Sequence, residues 1–233
     1  MDSNSHHQSD ARLTAEVIVT CCALSQHGLT YGTSGNVSVR RDAETFFISP
    51  TGVPHDRLDD IPFMDFQGRW YGARRPSSEW RFHRDILRAR PDINAIVHTH
   101  SKYAVALACT GRGIPAFHYM VAVAGGADIR CAPYATFGSQ ELSDNAVVAL
   151  VDRKACLLAN HGVIATGHDL ASALRLAGEV ENLAAQYSAA LAVGTPEILS
   201  AAEMTKVLNL FQSYGVQASD HDSDLRFGGA AAP

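Results

Sequence analysis

Two apolar runs that each lead into histidine constrain this chain more than any other feature. The run Ile93-Asn94-Ala95-Ile96-Val97 enters His98-Thr99-His100, and residues 156–159 enter Asn160-His161-Gly162 before a further apolar segment at 163–166. Short, continuous apolar runs read as strands covered on both faces. Helical patterns lie between them, so the chain predicts strands and helices interleaved in one α/β layered domain. Side chains at i and i+2 of a strand share a face. His98 and His100 therefore point the same way, and an imidazole closing a buried run needs a partner.

The remaining elements follow from caps and periodicity. Ser9 or Asp10 can cap a helix reaching about Gln26, with Leu13, Val17, Cys21 and Leu24 on one face and Gly28 as its stop. Short strands are expected at 36–40 and 45–48, and Ser78 is expected to cap a helix that contains Glu79 and stops before Pro91. A short helix after Ser101, a brief strand or loop at 132–136, and helices at 140–151 and 170–192 come next. Ser200 and Glu203 form a capping box for a last helix ending near Tyr214-Gly215.

Bulk properties exclude several classes. The 233 residues are 46% hydrophobic and 18% charged, enough for a sizeable core, and the net charge of −5 argues against a nucleic-acid or membrane-surface binder. No apolar stretch approaches the roughly 20 residues that span a bilayer. The polar start, Met1 to Gln8, has no secretory apolar segment, and its His6-His7 pair reads as disordered tail. Five scattered cysteines without a C-x-x-C pattern suggest a reduced, cytoplasmic compartment. Imine chemistry needs a desolvated lysine, and Lys102, Lys154 and Lys206, the only three, are not in apolar settings.

Metal chemistry is the better reading. His98 and His100 can share an ion, and His161 with the carboxylate of Glu79 would complete a tetrahedral set with a position that can open. Three imidazoles suit zinc, while manganese and cobalt are also compatible. Glu79 at a helix start could serve the helix dipole, or act as a general base beside the metal. Thr33, Ser34, Asn36, Thr51, Gly52, Ser77 and Ser78 sit in glycine- and hydroxyl-rich loops that read either as turns or as an anion cradle. No Walker pattern or G-x-G-x-x-G is present. By spacing alone Tyr119 is a half-buried aromatic, and His27, His55, His83, His118 and His168 are ordinary surface or core histidines.

Several motifs together resemble the class II aldolase/adducin superfamily. They are Pro76-Ser77-Ser78-Glu79-Trp80-Arg81-Phe82-His83, His98-Thr99-His100, residues 133–138 (Pro-Tyr-Ala-Thr-Phe-Gly), Gly32-Thr33-Ser34-Gly35-Asn36-Val37-Ser38 and Pro50-Thr51-Gly52. The resemblance runs from about residue 10 to Gly215. It implies a domain over 10–215; outside it, the polar stretch at 1–9 reads as a disordered tail and the polar, small-residue stretch at 216–233 as a mobile one. The implied fold is a three-layer α/β/α sandwich around a central, largely antiparallel sheet. The implied assembly is a homotetramer with active sites between subunits.

The resemblance also implies an activity: zinc-dependent cleavage of a ketose 1-phosphate, of the L-fuculose 1-phosphate kind, to dihydroxyacetone phosphate and an aldehyde. His98, His100 and His161 would hold Zn²⁺ (Mn²⁺ or Co²⁺ being possible), with Glu79 as fourth ligand and acid/base. Thr33, Asn36, Thr51, Gly52, Ser77 and Ser78 would bind the substrate phosphate. Tyr119 would donate a proton from a neighbouring subunit, and Tyr214 would cover the sugar. Asn160 departs from the family's pattern, where a second histidine precedes the third ligand. Rival readings are an aldolase for a 5-deoxy or methylthio pentulose 1-phosphate, a decarboxylase of a phosphorylated keto acid, a 4-epimerase (where the position of Glu79 resembles an aspartate) and a non-catalytic adducin-like module.

Overall fold

A computed structural model describes residues 3–211. Eight strands form one sheet in the order β4-β3-β2-β1-β5-β8-β7-β6. They are β1 (Asn36–Arg40), β2 (Thr45–Ile48), β3 (Phe63–Asp65), β4 (Trp70–Tyr71), β5 (Ala95–Thr99), β6 (Arg130–Ala132), β7 (Ala155–Leu158) and β8 (Gly162–Gly167). Every pairing is antiparallel except β6 with β7. The expected α/β/α sandwich with a largely antiparallel sheet is the observed fold.

Alternation along the strands builds the three layers. Ile96 and Ile164 join Phe46, Ile48 and Leu158 on one face, beneath Phe82, Ile86 and Leu87 of α2 (Trp80–Ala89) and Leu142 of α4 (Gln140–Ala149). Val97 and Val163 join Val37, Val39 and Leu157 on the other. That face is covered by Val17, Cys21 and Leu24 of α1 (Ser3–Gln26), Leu107 of α3 (Lys102–Ala108) and Ala173, Ala177 and Val180 of α5 (Leu170–Val193). Both faces are buried, which is why these strands read as unbroken apolar runs. Each fully buried Leu, Ile or Phe contributes about 1.5–3 kcal/mol. α6 (Ala201–Phe211) follows, with Ser200 Oγ accepting from the Glu203 amide as one half of the expected capping box, while the Glu203 carboxylate accepts from Lys206.

The structure corrects four expectations. α1 begins at Ser3, before the Ser9 or Asp10 cap, and takes in part of the stretch read as tail. Asp10 does not cap; its carboxylate accepts two bonds from the Arg41 guanidinium at 2.8 and 2.7 Å. α2 starts one residue later than expected, at Trp80, so Glu79 rather than Ser78 holds the cap position. Ser101 caps α3 only by position, without a side-chain bond; the Glu181 carboxylate of α5 accepts from the amides of Tyr103 and Ala104 instead. β3 and β4 form a hairpin where no strand was expected, turned around Asp65, which accepts from the amides of Gln67 and Arg69. Tyr214 and the segment at 216–233 lie outside the described residues. Among the described residues, no helix is long and apolar enough to cross a membrane, and all five cysteines are free.

Candidate metal centre and substrate cavity

The end of β5 carries the centre. His98 is the last residue but one of the strand and His100 follows its end, two positions on, and Phe82 of α2 packs edge-on against the His98 ring. The third imidazole comes from the tight β7–β8 connection. Asn160 takes the left-handed conformation there (φ 54°), which asparagine tolerates better than most residues, and the His161 amide donates to Leu158 O. The departure at Asn160 thus leaves His161 in place. Gly162 makes the approach possible: a Cβ there would lie 2.3 Å from Thr99 O and about 3 Å from the His98 and His100 rings. Gly35 (φ 80°) does the same for the 31–35 loop, where a Cβ would meet His98 O at 2.9 Å.

One donor atom each from Glu79, His98, His100 and His161 lie within 4.8 Å of one another. The Nε2 atoms of His98 and His100 are 3.0 Å apart. Glu79 Oε2 is 3.2 Å from His98 Nε2, and Glu79 Oε1 is 3.1 Å from His161 Nε2. His98 Nδ1 lies 2.8 Å from Val163 O, and a carbonyl only accepts, so Nδ1 carries the hydrogen and Nε2 presents its lone pair inward. Glu79 Oε1 is buried and has no hydrogen-bond donor. Converging imidazole lone pairs and an orphaned carboxylate oxygen fit a divalent cation such as zinc. The charge pattern agrees. Burial pushes the Glu79 carboxyl up, but His98 and His161 outweigh it and hold the group well below the usual carboxylate range. Burial, together with His98 and His161, pushes His100 down to about 4, so it is a neutral ligand.

A cavity of about 320 Å³ opens beside the centre. Its walls include every residue of the expected anion cradle: Thr33, Asn36, Thr51, Gly52, Ser77 and Ser78. Ser77 Oγ accepts from the Glu79 amide at 3.2 Å and steadies the turn into α2. Tyr134 and Phe137, from the loop after β6, add aromatic surface to the cavity wall, and Arg81 of α2 holds that loop through a 2.7 Å bond to Gly138 O. Tyr119 is not brought to the cavity within one chain; it opens a 3-10 turn, Tyr119–Ala124, and is 47% exposed. One buried residue read as ordinary from the sequence stands behind the centre. His83, one helical turn beyond Glu79, bonds to Asn36 and Ser38. The signals for His83 were its spacing from Glu79 on the helix and its place at the end of the motif at 76–83.

Known proteins share this fold. The family described as "Class II Aldolase and Adducin N-terminal domain" matches residues 15–188. The chain belongs to this family. It is 56% identical over 193 residues to the 5-methylthioribulose-1-phosphate/5-deoxyribulose-1-phosphate aldolase of Rhodospirillum rubrum, covering 82% of this chain and 87% of that one. It is 46% identical over 212 residues to the L-fuculose phosphate aldolase of Escherichia coli K12, covering 90% and 98%. A solved L-fuculose 1-phosphate aldolase superposes with a TM-score of 0.84 at 41% identity, covering 86% of this chain and 96% of that chain. The protein is a class II aldolase, from a metal-dependent family, and the relatives just given are named as aldolases of sugar phosphates.

Proposed function

We propose that this class II aldolase cleaves a ketose 1-phosphate between C3 and C4, reversibly, to dihydroxyacetone phosphate and an aldehyde. The observation that carries the reading is Glu79: a buried, ionised carboxylate at three imidazoles, opening onto a cavity lined by hydroxyls and backbone amides. His98, His100, His161 and Glu79 would hold Zn²⁺. A divalent cation bound there supplies Lewis acidity, stabilising charge on the substrate's carbonyl oxygen. Thr33, Thr51, Gly52, Ser77 and Ser78, with the second amide hydrogen of Asn36, grip the phosphate and turn remote binding energy into orientation. Glu79 gives a proton to the carbon freed by cleavage and removes it in synthesis. In synthesis Tyr119 of a neighbouring subunit protonates the aldehyde oxygen, in cleavage the same phenolic oxygen takes up the C4 hydroxyl proton, and Tyr214 covers the sugar. A cytoplasmic homotetramer belongs to this reading, supported by the free cysteines and by the exposure of Tyr119.

The substrate's far end carries a methyl or thiomethyl group. The aromatic wall of Tyr134 and Phe137 supports this, as do the names of the relatives, which pair 5-methylthioribulose, 5-deoxyribulose and L-fuculose phosphates. The 56% relative favours the pentulose substrates over L-fuculose 1-phosphate. The test is a panel of the three 1-phosphates with detection of both products. Methylthioacetaldehyde, acetaldehyde or lactaldehyde should form in equal amount with dihydroxyacetone phosphate. Release of carbon dioxide from keto acids, or epimer without dihydroxyacetone phosphate, would replace this reading by decarboxylase or epimerase.

A further inference from the structure

We propose that His83 is a positioning residue for Glu79, acting through the Asn36 amide and locked in turn by Ser38. The inference rests on Glu79 being the acid/base. It assigns His83, which makes no contact with the cavity, a part in the reaction.

The argument starts from hydrogen-bond bookkeeping. The ionised Glu79 carboxylate can only accept, so the Asn36 group 2.9 Å from Oε2 must be the amide nitrogen. Asn36 Oδ1 then faces His83 Nε2 at 2.5 Å, and Nε2 must carry the ring hydrogen. Nδ1 is left as an acceptor, and Ser38 Oγ, 2.7 Å away, donates to it. Every member of the chain Ser38–His83–Asn36–Glu79 is fixed by the next, and one orientation satisfies all of them. Asn36 and Ser38 are two apart on β1, so they present their side chains to the same face, where α2 carries His83. Ser38 and His83 are fully buried and Asn36 is 5% exposed, so no water can replace a lost partner. Burial pushes His83 down to about 3, which keeps it neutral and its tautomer set by the chain alone.

Without His83 the Asn36 amide can turn over and present its oxygen to the carboxylate. Glu79 would then lose the anchor that aims it, while His98 keeps its bond to Val163 O. The experiment follows hydrogen exchange at the transferable carbon of dihydroxyacetone phosphate in the zinc-loaded enzyme, with metal content measured alongside. His83→Phe should lower kcat for exchange about 10- to 100-fold with metal retained, and KM should change by less than about threefold. His83→Gln, which restores an N–H near the Nε2 position, should recover most of the rate.

Parental exchange in His83→Phe overturns the inference. So does a rise in KM alone, loss of metal, or a His83→Gln enzyme as slow as His83→Phe, which would reduce His83 to packing. If His83→Phe does not fold, Ser38→Ala decides by the same split: its kcat should fall with KM and metal kept, and an unchanged kcat overturns the inference. Glu79→Gln separates the two levels. Exchange at the parental rate in Glu79→Gln removes the acid/base assignment itself. A silent Glu79→Gln beside a fully active His83→Phe removes only the positioning role.

Discussion

Gly162→Ala should cost both the metal and part of the fold. The added Cβ would sit 2.3 Å from Thr99 O, a backbone atom of the neighbouring strand, where ordinary contact begins at 3.4 Å, so the β5–β8 seam must open by about 1.1 Å. The His100 and His98 rings, at 3.0 and 3.1 Å, would be pushed as well. Metal–ligand distances tolerate only about ±0.2 Å, so an opening several times larger separates His98 from His161. Overpacking costs about 1–3 kcal/mol, and a clash with backbone belongs at the upper end. For a chain of this size each kcal/mol lowers Tm by roughly 2–4 °C, so a fall of about 6–12 °C is expected for the metal-free protein. Zinc affinity should drop at least about 10–100-fold, as when supporting contacts of a metal site are lost. Calorimetric zinc titration and a thermal melt of the metal-free variant read the two effects separately. Gly178→Ala, inside α5 with nothing within 4 Å of the new Cβ, is the control. It should be neutral or gain up to about 1 kcal/mol. A Gly162→Ala protein that binds zinc like the parent and melts at the parental temperature would refute the claim that close strand approach builds the site.

Three other outcomes follow from the same structure. The metal-free protein should lose stability as pH falls below 6.5, because His83, held down near 3 by burial, binds a proton in the unfolded chain before it does in the folded one. The loss should reach about 2 kcal/mol by pH 5 from this group and shrink in His83→Phe; melts across pH 7 to 5 check it. Glu181→Ala removes the carboxylate that caps α3 just beyond His100 and should cost about 0.5–2 kcal/mol in a denaturant melt, a parental midpoint counting against the cap. Chelator should abolish cleavage of the active ketose 1-phosphate and added zinc should restore it, whereas activity indifferent to chelator would remove the metal from the reaction.

Much of this was legible locally. The run ending at His98 and the i, i+2 spacing to His100 predict two imidazoles on one strand face, and both stand there. The paired runs around Asn160-His161-Gly162 predict two strands, and they are β7 and β8. Capping at Ser200 was readable for the same reason: the partners lie within one turn. What failed depended on distant chain. Ser101 looked like a cap until Glu181 of α5 arrived to do the work. Asp10 looked like a cap until Arg41 took both its oxygens. The hairpin of β3 and β4 is short, and its alternation is too brief to stand out from the surrounding loop.

The sequence by itself determined which chemistry was available: three imidazoles, a carboxylate, loops of hydroxyls and glycines, and strands apolar enough to be covered on both sides. Only the tertiary structure decided that Ser38 and His83 join Asn36 and Glu79 in one hydrogen-bonded chain. Asn36 and Glu79 are 43 positions apart and His83 and Ser38 are 45 apart, and no periodicity reaches across such distances. The buried interior makes that link, because there a polar group must find its partner in whatever element the fold sets beside it.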